Sequence, residues 1–268
     1  PNSVTIEDRI KNTKKIRIKD LLKYRKKHYT CNNTTIIVGG HVNINMYLKK
    51  LNMMFKSYKT EKYDQIYPKT TIKIKSNVYY TKVNSKSNKL LLSFNTSFNS
   101  FNKNTILIEL VNKLLTGDLS SRLYSLRNEY GLIYNINSYE ESEIFGSNHA
   151  NFMIETDIST NNILTGYQKI IDILKNTKIT NDEYKTIHNQ IQMDKSLHIQ
   201  NTNIDKYINQ YIYYVVFNKK VITFSDKYKI LMSCSKSKIQ QLLKYIFNTK
   251  KHVVSYGGPK KVKINYSK

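Results

Sequence analysis

The chain has 268 residues, 40% of them hydrophobic, which is enough for one large domain or two modest ones and argues against wholesale disorder. Its formal charge of +25, from 44 basic against 19 acidic residues, raises a nucleic-acid reading, but only five of the basic residues are arginine, whose planar fork suits phosphate. Lysine, asparagine, isoleucine and tyrosine abound and Ala150 is the only alanine, a bias resembling that of an AT-rich genome, so the charge is read mainly as drift on solvated faces. No apolar run reaches the ~18–20 residues of a membrane span. Cys31 and Cys234 are the only cysteines, too few for a disulfide framework, which favours a reducing interior or an organelle matrix such as that of a mitochondrion or plastid. The chain starts at Pro1 without a signal segment and reads as a processed chain or an excised piece.

In chain order, residues 20–28 form the firmest part of a basic amphipathic helix, with Leu21, Leu22 and Arg25 at helical spacing. The run 35–38 reads as a buried strand closed by Gly39 and Gly40, and a helix follows from Asn43. Residues 57–69 lack periodicity and read as a linker. The alternations Ile72/Ile74, Val78/Tyr80 and Leu90/Leu92/Phe94 predict strands. A helix over 104–115 ends at Gly117; a second, capped by Ser120 or Ser121 and carrying Leu123 and Leu126, stops at Gly131, a natural left-handed cap. Strands are predicted over 132–139 and 144–157, helices over 161–175, 181–198, 203–217 and 237–247, and a last strand over 252–256 before Gly257-Gly258-Pro259.

One repeat stands out. Leu21-Leu22-Lys23-Tyr24 ends a helix that leads to an apolar run and Gly39-Gly40; Leu242-Leu243-Lys244-Tyr245 does the same and leads to Gly257-Gly258. The chain therefore holds two domain endings and one domain beginning: residues 1–56 as the end of a preceding domain, 57–69 as linker, and 70–268 as a second domain.

Zinc hydrolases place two histidines one turn apart beside a glutamate. His28, His41, His149, His188, His198 and His252 fall in no such arrangement, and no phosphate-cradling glycine loop or nucleophile elbow occurs. The informative stretch is 114–139, which reads as helix, glycine break, capped helix, glycine cap, strand. Arg127 sits in the last helical turn and Tyr134 three residues past Gly131. Arg127 suits a helix C-terminus and Tyr134 suits a strand; together the two could also donate to carbonyl oxygens of an extended peptide.

The same stretch resembles the second-domain signature of the M16 (pitrilysin/insulinase) zinc peptidases, through Ser120, Ser121, Arg122, Leu123, Arg127, Gly131, Leu132 and Tyr134, with Asn128 and Ile133 departing mildly. Its Gly-Leu-x-Tyr form and seven-residue Arg127–Tyr134 step look like the processing-peptidase branch. A second block, 18–55, resembles the end of that family's first domain, with Tyr29, Asn33, Gly40 and Val42 in register.

The resemblance implies an α+β, two-layer fold with an antiparallel sheet backed by helices. It implies zinc in the full-length enzyme, on an HxxEH segment absent from this chain, so that no residue here is expected to ligate metal and the fragment alone is expected to be inactive. Arg127 and Tyr134 are the implied catalytic and substrate-binding contacts. Glu140 and Glu141, with Glu143, are read as an acidic chamber wall that would receive basic peptides. Expected partners are a peptide substrate or targeting presequence and an N-terminal zinc-binding half or partner subunit, in a single chain, homodimer or heterodimer, without nucleic acid. The main reading is the C-terminal, substrate-binding portion of an active zinc endopeptidase that cleaves peptides or targeting presequences; the alternatives are a non-catalytic partner subunit of a processing peptidase and, after it, a basic nucleic-acid-binding protein.

Overall fold

The computed structural model describes residues 5–57, 77–96, 98, 101–142, 150–201, 203–217, 219–247 and 251–264. The chain divides into two compact units, Pro1–Pro68 with Asn203–Ile212, and Lys69–Thr202 with Tyr213–Lys268. Most of the expected linker, the Ile72/Ile74 strand signal, Glu143 and His149 lie outside the described residues.

The larger unit is built on a five-stranded sheet of β1 (Asn77–Lys82), β2 (Asn88–Asn95), β3 (Ile133–Ser142), β4 (Ala150–Ile158) and β5 (Val253–Gly258), in the order β1-β5-β2-β4-β3. Strict alternation in β2 puts Asn88, Leu90, Leu92 and Phe94 on the buried face and Lys89, Leu91, Ser93 and Asn95 on the other. β4 buries Phe152, Ile154, Thr156 and Ile158 on that same core face. The sheet is antiparallel except for one pair: β5 runs parallel to β1 and antiparallel to β2. The sheet is thus the helix-backed, mainly antiparallel one expected, with one parallel pair added at its edge. β5 reaches its slot only after the entire helical layer, so its direction is not bound by a hairpin turn.

The helices of this unit cover the core face. α4 (Lys103–Thr116) contributes Leu107, Ile108, Leu110, Val111, Leu114 and Leu115 and touches β3, α7, α9 and α10. Each of these side chains is worth roughly 1.5–3 kcal/mol on full burial, making α4 the central support. α6 (Ile163–Lys175), α7 (Asn181–Asn201), α9 (Phe224–Met232) and α10 (Lys236–Ile246) complete the layer, with Ile163, Tyr167, Ile170, Ile187, Ile191, Leu231, Ile239 and Leu242 in the core. α8 (Ile204–Val216) has its last four residues in this unit. The sequence reading passed over α9, although Thr223 caps it and donates to Asp226 in a local box.

The smaller unit carries α1 (Ile6–Thr13), α2 (Ile18–His28) and α3 (Ile44–Phe55), and none of these helices has a buried residue. Residues 34–38 pair with no strand among the described residues, and Ile36 and Val38 are exposed. The expected buried strand is thus an extended segment: a ladder needs a neighbour, and this unit supplies none among the described residues.

Candidate functional site

The site is assembled by the turn between α4 and β3. Gly117 ends α4 where a Cβ would lie 2.6 Å from both Gln190 Oε1 and Lys113 O, so packing admits only glycine. Asp118 then organises the turn: its Oδ1 accepts from Ser120 N at 2.8 Å and Ser120 Oγ at 2.6 Å, and its backbone N–H donates to Ser121 Oγ at 2.9 Å. Burial pushes the Asp118 carboxyl upward, but the bonds from Ser120, Gln190 and Ser121 prevail and hold it below its ordinary value. Ser121 occupies the N-cap position that its sequence predicts, but its hydroxyl donates to Lys113 O at 3.1 Å and makes no side-chain cap bond.

Arg122 turns inward. Its guanidinium bonds both oxygens of Glu183 and the carbonyls of Asn176 and Lys178, fastening the turn to the segment between α6 and α7. Leu123 and Leu126 anchor a 3₁₀ turn (Arg122–Tyr124) and the one-turn helix α5 (Ser125–Asn128), shorter than the single helix expected. Gly131 follows at φ +60°, in the left-handed conformation that its position predicts, with its N–H on Arg127 O. The chain then enters β3 with Ile133 in the core.

This path brings Arg127 and Tyr134 together. The guanidinium carbon lies 5.1 Å from the centre of the Tyr134 ring, within cation–π range. Tyr134 is 76% exposed, and Arg127 is exposed as well. Ile133 pairs with Ile158 and Ile136 with Thr156, so one extra residue is accommodated at 134–135, a bulge on the edge strand of the sheet. Thr156 Oγ1 fills the gap by donating to Asn135 O at 2.6 Å. Neither the Arg127 N–H groups nor the Tyr134 hydroxyl bond another described residue, so both present donors to solvent at one end of β3.

The two glutamates part company. Ser138, two residues before Glu140, bonds Asn112 and Thr116 of α4, and Glu140 pairs across the sheet with Phe152 on the core face. Glu140 therefore points toward the helices; its Oε1 is buried without a partner among the described residues, and burial pushes its carboxyl up to about 7. Glu141 is exposed on the opposite, open face. That face carries a network the sequence reading missed. Lys89 bonds Glu155 and lies 3.8 Å from Asp157, and Tyr139 donates to Glu155 Oε2 at 3.0 Å. The Lys89 bond holds the Glu155 carboxyl below its ordinary value against the pull of burial. The signal available in sequence was the odd-numbered phase of β2 and β4, which sets these groups opposite the buried leucines and isoleucines. With Glu141, Glu155 and Asp157 against Lys89, this face is acidic in a chain of +25.

Among the described residues no three His, Cys, Asp or Glu side chains cluster. His252 is buried with Nε2 3.0 Å from the Tyr167 hydroxyl, and His188 Nδ1 lies 3.0 Å from Tyr184 O. Among the described residues no helix is long and apolar enough to cross a membrane.

The profile of a family described as the peptidase M16 inactive domain matches residues 15–191. No curated protein matches the chain. Among solved structures, a protease from Helicobacter pylori superposes with a TM-score of 0.78 at 16% identity, over 93% of this chain and 61% of that one. A chain of complex III2 from Candida albicans, with Inz-5 bound, gives 0.77 at 12% identity, over 96% and 62%. A peptidase M16 inactive domain from Pseudomonas fluorescens gives 0.60 at 17% identity, over 71% and 45%. At these identities the likeness is one of fold, and the chain spans less than two thirds of each of the three.

Proposed function

The chain belongs to the M16 peptidase family, and we propose that it serves there as a non-catalytic, peptide-holding unit, working beside a zinc-bearing M16 domain supplied by a preceding segment or by a partner subunit. The observation that carries this reading is the Arg127–Tyr134 stack at the end of an edge strand. Ring and guanidinium brace each other, so little side-chain freedom remains to be lost when their outward N–H and O–H groups donate to the carbonyl oxygens of an extended peptide. In the assembled site the same donors would face charge developing on a carbonyl oxygen. The chain's own part is to bind and orient the peptide; no metal is assigned to it.

Two further features support the reading. The matched profile is that of the inactive domain. The open face beside Tyr134 carries Glu141, Glu155 and Asp157 with one lysine, which suits a basic peptide such as a targeting presequence.

A second reading, in which the chain is the C-terminal portion of one active endopeptidase, is favoured by the smaller unit. Leu21 and Leu22 are 59% and 58% exposed, whereas Leu242 and Leu243, their counterparts in the repeat, are 3% and 2% exposed. Apolar faces of that kind call for the remainder of a domain.

The test is binding of a labelled basic peptide to the purified chain, with Arg127→Gln and Tyr134→Phe alongside. Arg127→Gln is expected to weaken binding by roughly tenfold, the worth of a charge-assisted hydrogen bond, and Tyr134→Phe by about fivefold, the worth of a neutral one, with the unfolding midpoint unchanged. Unchanged binding removes the pair from the site. Metal-dependent cleavage by the chain alone overturns the non-catalytic assignment.

A further inference from the structure

At the N-terminal end of α4 the larger unit has a cavity of ≈ 530 Å³, lined by Phe101, Lys103, Tyr214, the 219–222 segment and α9. α4 is 14 residues long, so this cavity stands about 20 Å along the helix from the turn that builds the Arg127–Tyr134 pair. Its chemistry is two-sided. The floor is apolar and aromatic: Phe101 meets Tyr214 edge-on at 5.6 Å, with Val221, Ile222 and Ile230 around them. The rim is cationic: Lys103, Lys219, Lys220 and Lys229 surround a single carboxylate, that of Asp226. None of these four lysines has a carboxylate within 4.0 Å among the described residues, whereas Lys227, also on α9, is paired with Glu109 at 2.6 Å. Lys219 instead lies over the Phe101 ring at 5.8 Å.

The polar atoms left over are specific. Asp226 Oδ2 accepts from Thr223 Oγ1 at 2.8 Å, and Oδ1 has no bond among the described residues. The Tyr214 hydroxyl likewise bonds no described group, and burial pushes its phenol above its ordinary value, so it remains a donor.

We propose that this cavity binds an organic phosphate with a flat ring, of the nucleoside mono- or diphosphate class. Four ammonium groups around one carboxylate, Lys220 and Lys229 within its electrostatic reach, leave a net positive rim that suits two or three negative charges as point-charge phosphate binders. The aromatic floor suits a ring face, as in base–aromatic stacking. The Asp226 oxygen accepts from a ribose hydroxyl or an exocyclic amine, a demand that a fatty acid or inorganic phosphate does not meet. The volume lies within the ordinary range for small-molecule sites.

The test is calorimetric titration of the full chain with ADP, adenosine and inorganic phosphate in low salt. ADP is expected to saturate one site, with adenosine and inorganic phosphate each at least about tenfold weaker. Lys103→Gln combined with Lys229→Gln is expected to weaken ADP by roughly tenfold or more. Lys14→Gln combined with Lys15→Gln, an equal loss of charge in the smaller unit, is expected to leave it unchanged. Absence of saturable ADP binding up to about 1 mM, inorganic phosphate binding as tightly as ADP, or equal losses in the two double variants overturns the proposal, the last by showing attraction to the chain's overall charge alone.

Discussion

Arg122 and Glu183 form a two-pronged pair across 61 residues of sequence, Nε to Oε1 at 2.7 Å and Nη2 to Oε2 at 2.9 Å. Glu183 also accepts from Thr180 N while its own N–H donates to Thr180 Oγ1, so the ion pair doubles as the N-terminal box of α7. Five residues on, Arg127 meets no carboxylate among the described residues and stacks on Tyr134. One short motif thus contains one arginine that holds the fold and one that faces outward.

The two arginines therefore separate under substitution. Arg122→Gln is expected to cost on the order of 1–2 kcal/mol, since it leaves a half-buried carboxylate without its counter-charge and removes the bonds to the Asn176 and Lys178 carbonyls. Arg127→Gln is expected to stay within about 0.5 kcal/mol, as exposed sites do. Urea unfolding at pH 7 measures both, and equal losses would contradict the division. Burial raises the Glu183 carboxyl, but the Arg122 bond and the Thr180 bonds outweigh it and leave it below its ordinary value. Its contribution is present at neutral pH and is lost as pH falls through that lowered value.

Glu140 carries the opposite sign. Its carboxyl titrates at about 7 in the folded chain because burial disfavours the charge. The folded state then holds a proton that the unfolded chain releases at ordinary carboxylate pH. Stability from this group is complete below the unfolded value and is lost as pH rises toward 7. Glu140→Gln is expected to raise stability at pH 8 by on the order of 1 kcal/mol, discounted for the water that still reaches the group, and to change nothing at pH 4. Unfolding curves at the two pH values decide it; a gain of the same size at both would refute the burial argument.

The repeat provides a third comparison. Leu242→Ala or Leu243→Ala in α10 is expected to cost roughly 2–5 kcal/mol, as for buried leucines generally. Leu21→Ala or Leu22→Ala in α2 is expected to fall within about 0.5 kcal/mol in the isolated chain. If a preceding segment or partner covers α2, as the second functional reading requires, the cost at Leu21 and Leu22 appears only in the assembly. Thermal unfolding of the chain alone and in the assembly reads the difference.

Gly258 leaves no room for a side chain. A Cβ there would sit 1.6 Å from Asn88 Oδ1 and 2.5 Å from its Cγ. Asn88 is fully buried, and its Nδ2 donates to Thr160 Oγ1 at 2.9 Å and to Ile158 O at 3.4 Å, so it cannot swing aside without breaking those bonds. Gly258→Ala is expected to destabilise by roughly 1–3 kcal/mol. Asn88→Ala combined with Gly258→Ala should recover part of that cost, which a double-mutant cycle measures directly.

The proximity of Arg127 and Tyr134 was legible before the fold. Gly131 as a left-handed cap, with Arg127 before it and Tyr134 after it, sets the chain reversal that stacks the two side chains, and each step is local. The Arg122 partner was not legible, because nothing within a helical turn or a strand repeat points from residue 122 to residue 183. The separation of Glu140 from Glu141 was legible too, from strand periodicity alone. Counting Glu140 and Glu141 together ignored the period of two, which sends one toward α4 and the other to the open face.

The sequence by itself determined the elements whose signals lie within a few residues: the alternation of β2, the apolar stripes of α4, α6 and α10, the glycine at residue 131, the repeated Leu-Leu-Lys-Tyr. Tertiary structure alone decided which of these find partners. Residues 35–38 and the β5 run are both apolar and both end at Gly-Gly, yet β5 lies between β1 and β2 while residues 34–38 pair with no described strand. Apolar pattern records a tendency to be buried; burial also needs a neighbour with matching hydrogen bonds, and that neighbour is set by topology far along the chain or beyond it.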